Sequence, residues 1–133
     1  QLGEGKRILS SSTAVIVREM LEKVVGPNGT ARKAAVEGYR VGGKSGTAKK
    51  ITGSGGYTED RYRSFFAGIA PLDDPQLVVV VFIDEPSGEF YYGGDVAAPV
   101  FSKVISESLR LLAIPPSYNS SLNNPLVADL NLE

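Results

Sequence analysis

The chain has 133 residues and sets 14 Lys and Arg against 15 Asp and Glu, a formal charge of −1. That length suits one domain with a real core, and the charge balance argues against steering onto nucleic acid or an anionic membrane. Cysteine and histidine are both absent, which excludes disulfides, thiolate chemistry, a Ser-His-Asp triad and His-ligated zinc within the chain.

No apolar stretch of signal-peptide form follows Gln1–Arg7, and the longest apolar run, Leu77 to Ile83, has seven residues, against about 20 for a membrane helix. A start at Gln1 without Met predicts an excised or processed piece of a longer protein. Ile16, Val17, Met20, Leu21 and Val24 recur at helical spacing and predict a helix over residues 13–25, with Ser10, Ser11 and Ser12 as candidate caps and Gly26-Pro27 as its stop. Residues 39–52 carry Tyr39, Val41 and Ile51 at strand-like positions, and residues 53–57 read as a turn or flexible loop. Residues 63–70 suit a strand, Pro71-Leu72-Asp73-Asp74-Pro75 a turn, and residues 76–84 the strongest strand. A second amphipathic helix is predicted over residues 97–113, with Pro99 in its first turn and an apolar face of Val100, Val104, Ile105, Leu109 and Leu112. Pro115-Pro116 end it, and residues 117–133 read as a polar tail.

The link between the last two strands is about five residues, too short for a parallel crossover. The expected fold class is therefore α+β, an antiparallel meander with one face covered by helices. Lys44 should lie on an edge strand, and the Val78–Ile83 strand, apolar on both faces, should be central. Phe65, Phe66, Val78 to Phe82 and Val104 are the expected core.

Two motifs compete for Lys44. Gly38 to Ser45 fits the phosphate-loop pattern of Gly, four residues, then Gly-Lys-Ser, and Leu77–Ile83 followed by Asp84-Glu85 resembles the strand and acid of a nucleotide hydrolase. That reading needs a helix opening at Lys44-Ser45, but the residues that follow are rich in glycine and have no amphipathic period. The other reading takes Lys44-Ser45-Gly46-Thr47 as a strand motif. A cation, two hydroxyls and a bare backbone in line suit an acyl substrate with a carboxylate. Lys44 supplies charge, Ser45 and Thr47 donate hydrogen bonds, Gly46 permits close approach, and the Thr47 N–H can serve an oxyanion. Lys-Thr-Gly is one of three signatures of penicillin-binding proteins and serine β-lactamases, and Ser45 keeps the hydroxyl of that Thr.

Gly38 to Lys50 resembles the third-motif strand of division-specific class B penicillin-binding proteins of Gram-negative bacteria. Gly56-Tyr57 with Phe66-Ala67-Gly68-Ile69-Ala70-Pro71 is similar to that family's next strand, and Tyr91-Tyr92-Gly93-Gly94 with Ala98-Pro99-Val100-Phe101 to its last loop and C-terminal helix. The resemblance, closer to the penicillin-binding protein 3 group than to β-lactamases, implies the C-terminal portion of a β-lactamase/transpeptidase-like fold over residues 1–116, with residues 117–133 as tail. It implies a peptidoglycan DD-transpeptidase without cofactor or metal, in septal wall synthesis at the periplasmic face of the inner membrane. The implied partners are a stem peptide, β-lactam antibiotics, the upstream part of the same domain and membrane proteins of the division machinery, with no nucleic acid. It implies catalytic roles for Lys44 and Thr47, and substrate contacts for Ser45, Gly46, Lys49, Tyr62, Tyr91, Tyr92 and Gly93.

The family's nucleophile motif, Ser-x-x-Lys, occurs nowhere in this sequence. Ser117-Tyr118-Asn119 and Ser121-Leu122-Asn123 have the letters of its second motif, but they follow the third and read as chance. The nucleophile is then expected upstream, and a noncatalytic module of the same fold stands as a further alternative. Lys50 and Arg40 fit a solvated edge as well as an anionic ligand. Lys49, two residues past Thr47 on one strand face, fits an anionic substrate better. Tyr62, Tyr91 and Tyr92 suit either packing or an aromatic wall beside the strand, and Asp84-Glu85 a turn before Pro86.

Overall fold

The computed structural model describes residues 5–51 and 55–117. Helix α1 spans Ser11–Val25, one residue pair earlier than its apolar period suggests, because the Ser10 hydroxyl accepts the Thr13 N–H at 3.0 Å and caps it. A 3₁₀ turn (Arg32–Ala34) leads to three strands, β1 (Gly42–Ile51), β2 (Tyr57–Ala70) and β3 (Leu77–Asp84). A short helix α2 (Gly93–Val96) precedes α3 (Ala98–Leu111), which has Pro99 in its first turn, where no N–H partner is lost. No helix among the described residues is long and apolar enough to cross a membrane. Ser54 and most of the tail, including Tyr118-Asn119 and Ser121-Leu122-Asn123, lie outside the described residues.

The strands form one antiparallel sheet in the order β1-β2-β3. Lys44 lies on an edge strand, as expected. The central strand is β2, however, and not the strand of Val78–Ile83. Two short links in succession can only lay each strand beside the one before it, so the third ends at the opposite edge. Lys44 sits within β1, with no helix opening at Lys44-Ser45, so the phosphate-loop reading fails.

Register sorts the side chains onto two faces. Ser45, Thr47 and Lys49 of β1 share a face with Tyr62, Ser64 and Phe66 of β2 and Val79 and Val81 of β3. Helix α3 packs there: the rings of Phe66 and Phe101 meet edge-on at 4.8 Å, and a side chain at Gly68 would come within 2.5 Å of Phe101. Helix α1 crosses the other face at the base of β1, where a Cβ on Gly42 would lie 2.9 Å from the Glu22 backbone nitrogen. The helices therefore touch both faces, not one. The rest of that second face is open: Val78, Val80 and Phe82 are 72%, 66% and 58% exposed, and Phe65 is exposed too.

The core is thus narrower than the sequence suggests. Phe66, Phe101, Ile105 and Leu109 are fully buried, whereas Phe65, Val78, Val80, Phe82 and Val104 are exposed. Ile16, Val17 and Met20 of α1, Val100 of α3 and its C-cap Leu112 are exposed as well, and Val25 is the buried residue of α1. Apolar periodicity marks surfaces that need cover. It does not say whether the cover lies within these residues.

Arg40 fastens the base of β1. Its Nε and Nη2 donate to the two oxygens of Glu22 in α1 at 2.8 and 2.6 Å, and its Nη1 to Asp73 in the β2–β3 turn at 2.5 Å. Arg18 donates to the Leu72 carbonyl at 2.8 Å. The end of the described chain joins the same junction, with the Ser117 N–H donating to the Gly38 carbonyl at 2.8 Å. Hydrogen bonding from Arg40 holds the Glu22 carboxyl below the ordinary carboxylate range against the opposing effect of burial, and the Ser117 hydroxyl, then Arg40, does the same for Asp73.

Two outcomes follow for urea unfolding of the chain. Phe66→Ala should cost about 3–5 kcal/mol through the cavity it leaves, while Val78→Thr should stay within about 0.5 kcal/mol. Equal losses would contradict the exposed placement of Val78. A carboxyl with a lowered folded pKa stabilises above its unfolded value, about 4.3, and loses that contribution as pH falls through the folded one. Glu22→Gln should therefore cost about 0.5–1 kcal/mol at pH ~7, the range of a part-exposed pair, and the difference from the natural chain should close on acidification below pH ~4. A gap unchanged by acidification would show that Arg40 does not select the charged form of Glu22.

Candidate functional site

Strand alternation sends Lys44 to the α1 face and Ser45, Thr47 and Lys49 to the α3 face. The two sets meet at the edge of β1 that pairs with no strand among the described residues. The Lys44 Nζ donates to the Ser45 carbonyl at 2.7 Å, so the ammonium follows the strand instead of leaving it. The Thr30 and Ser45 hydroxyls lie 3.4 Å apart. A Cβ at Gly46 would meet the Phe65 ring at 2.0 Å, so the room this glycine leaves on the α1 face is filled by that ring.

The segment before α2 passes over the other face of the same strand. Gly93 rests on backbone: a Cβ there would lie 2.3 Å from the Phe65 oxygen and 2.5 Å from the Gly46 oxygen, so only glycine fits. The Gly93 N–H donates to the Thr47 Oγ1 at 3.0 Å, which leaves the Thr47 hydroxyl proton to be donated elsewhere. Tyr91 stacks on Tyr62 at 4.0 Å and 13°, and Tyr92 leans on Tyr91 at 4.5 Å with the two hydroxyls 3.2 Å apart. The Lys49 Nζ stands 5.8 Å from the Tyr62 ring centre. Lys33 secures the outer side of this segment, pairing with Asp95 at 2.8 Å and lying 5.5 Å from the Phe90 ring centre.

The structure thus gathers Ser45, Thr47, Lys49, Tyr62, Tyr91, Tyr92 and Gly93 on one side of β1 and brings Lys44 to its edge from the other. Ion pairing separates the basic residues that the sequence left ambiguous. Lys50 donates to Asp84 at 2.9 and 3.0 Å and to Glu85, and these bonds, Glu85 first, hold its ammonium above the ordinary lysine range. Arg61 bonds Glu85, and Arg63 bonds Asp84 at 3.2 Å. Arg40 is committed to Glu22 and Asp73. Among the described residues, no ion pair joins Lys44 or Lys49 to a carboxylate. Asp84 therefore serves a strand-end charge cluster and is not the magnesium-holding acid of a nucleotide site.

A cleft of about 730 Å³ between the end of α1 and Arg40, lined by Glu22, Lys23, Pro27 and Asn28 among others, contains none of the predicted site residues. Sequence reasoning missed Thr30 beside Ser45, and Ser64, whose buried hydroxyl donates to the Tyr91 carbonyl. For Ser64 a signal existed: it is a polar residue on the core side of an alternating strand. Thr30 lies in a loop and carried none.

Residues 2–106 match the family model described as the penicillin binding protein transpeptidase domain. The chain is 52% identical over 114 residues to the probable peptidoglycan D,D-transpeptidase PbpC of Pseudomonas aeruginosa, covering 85% of this chain and 20% of that protein. It is 44% identical to the probable peptidoglycan D,D-transpeptidase PenA of Neisseria gonorrhoeae, covering 86% of this chain and 19% of the relative. Among solved structures, the transpeptidase domain of Burkholderia pseudomallei penicillin-binding protein 3 superposes with a TM-score of 0.78 at 50% identity, over 86% of this chain and 34% of that one. The chain thus spans roughly a fifth to a third of the length of such relatives. With the family model matched over most of its length and the three-stranded sheet shared with a solved member, the chain belongs to the penicillin-binding protein transpeptidase domain family.

Proposed function

We propose that this chain is the C-terminal part of a serine-type peptidoglycan D,D-transpeptidase that cross-links stem peptides in septal wall synthesis and is acylated by β-lactams. The observation that supports this most is the meeting, at a strand edge that is unpaired among the described residues, of an ammonium with no carboxylate partner among them and two hydroxyls, beside an aromatic loop. In this reading an upstream Ser-x-x-Lys supplies the nucleophile. Its oxygen attacks the carbonyl of the penultimate D-alanine, the terminal D-alanine leaves as an amine, and an amino group of a second stem peptide takes the acyl group and frees the serine. Lys44 supplies positive charge, the Ser45 and Thr47 hydroxyls hold the terminal carboxylate, and the Thr47 N–H shares the oxyanion. The extended donor lies along β1 as an added strand past Gly46. Lys49 meets anionic groups, and Tyr62, Tyr91 and Tyr92, with Gly93 at their base, wall the donor side chain.

The same reading gives the open surfaces a purpose. The upstream part of the domain would carry Ser-x-Asn and the strands that pair with β3, and would cover Val78, Val80 and Phe82. The domain portion would run over residues 1–116 with a tail beyond. The whole protein would act at the periplasmic face of the inner membrane of a Gram-negative bacterium, with division-machinery membrane proteins as partners.

The test uses the complete encoded protein. Lys44→Ala should slow acylation by a carboxylate-bearing β-lactam about 10- to 150-fold, the value of a lost charge-assisted contact of roughly 1.5–3 kcal/mol. Lys50→Ala, six residues further along β1 and paired with Asp84 and Glu85 at the strand end, should leave the rate within about twofold. Equal second-order rate constants for the two variants would refute the role of Lys44. The 133-residue chain alone should form no penicilloyl adduct in mass spectrometry, since no serine in it has a lysine three positions on. A stoichiometric adduct would place the nucleophile in this chain and overturn the reading.

A further inference from the structure

Among the described residues, Ser64 combines a polar side chain with complete burial, at 0% exposure. A buried hydroxyl is costly unless bonded, and an apolar residue would suit this core-facing strand position better. The Ser64 hydroxyl spends its proton on the Tyr91 carbonyl. Directly across the strand pair stands Thr47, whose Oγ1 accepts the Gly93 N–H at 3.0 Å. The segment 91–93 is thus tied at both ends to a single cross-strand pair, Thr47–Ser64, and the bare Gly93 lets it lie flat on the backbone of Gly46 and Phe65.

We propose that Ser64 is a positioning residue for donor selectivity. Its hydroxyl sets the height of the 91–93 segment above β1 and so fixes the Tyr91 ring against Tyr62, and Tyr92 beside it, where the pair meets the side chain of an acyl donor. This rests on the transpeptidase reading and names a determinant of which donors it prefers: those with a bulky or aromatic amide side chain. Without the Ser64 bond the segment keeps only the Gly93 tether, the tyrosine wall loosens, and donors that lean on it lose more than donors that do not. The nucleophile and Lys44 are untouched, so a bare donor still reacts.

The test compares acylation of the complete encoded protein by benzylpenicillin and by 6-acetamidopenicillanic acid, which share the nucleus and the side-chain amide and differ in the phenyl ring. Ser64→Ala should lower the ratio of the two rate constants about five- to tenfold, the effect of one ordinary hydrogen bond. In a Tyr91→Ala background, with the wall already gone, Ser64→Ala should change the ratio no further. Amide hydrogen exchange without ligand should quicken about tenfold over residues 90–94 in Ser64→Ala and stay unchanged over residues 77–84. Equal slowing of both compounds, an effect of the same size in the Tyr91→Ala background, or unchanged exchange over residues 90–94 would each overturn the proposal. Should the natural protein fail to be acylated by either compound, the transpeptidase reading falls, and the exchange contrast alone decides whether Ser64 holds the segment.

Discussion

Because both links between strands are short, β1 pairs on one side only, and its other side keeps backbone N–H and C=O groups with no neighbouring strand among the described residues. An exposed edge invites unwanted pairing, and proteins blunt it with charge and cover. Here one basic residue, Lys44, folds back along the edge to the Ser45 carbonyl, while Lys49 stands off the face beyond. The edge is guarded by groups that attract an anion, and an extended, carboxylate-bearing chain is a partner that satisfies both its hydrogen bonds and its charge.

The rest of the fold holds that edge still. Arg40 ties the base of β1 to α1 and to the β2–β3 turn through two carboxylates, and the pair Thr47–Ser64 ties the aromatic segment down at the other end. Helix α3 supports the sheet from beneath through Phe101, Ile105 and Leu109. The two faces differ sharply in their cover. The α3 face is packed, whereas the α1 face leaves Val78, Val80 and Phe82 in the open, a surface consistent with a chain that spans only part of its relatives.

Much of this was legible in the sequence, for reasons that differ by element. The helices followed from apolar period plus caps, with Ser10 and Pro99 placed as capping chemistry dictates. The edge position of Lys44 and the antiparallel order followed from link length. The motif Lys44-Ser45-Gly46-Thr47 could be distinguished from a phosphate loop because the glycines after it forbid a helix. What failed was the inference from composition to burial. Val78, Val80 and Phe82 read as core because they are apolar and β-branched or aromatic, yet among the described residues nothing covers them, and such runs cannot report which side is covered. Phe101 was overlooked because its helix face was drawn through Val100 and Val104, a rotation of about one position. Contacts such as Ser64 to Tyr91 and Arg40 to Glu22 join residues far apart in sequence, and spacing carries no trace of them.

The central claim is that the free edge of β1 receives an extended, carboxylate-bearing acyl donor. A crystal structure of the complete protein acylated by a β-lactam tests it most directly. The account predicts the drug carboxylate within about 3 Å of the Ser45 and Thr47 hydroxyls and its acyl oxygen at the Thr47 N–H. The drug amide should lie along β1, with its side chain against Tyr91 and Tyr92. A covalent adduct whose carboxylate lies on the α1 face or away from β1, with Ser45 and Thr47 untouched, would contradict it.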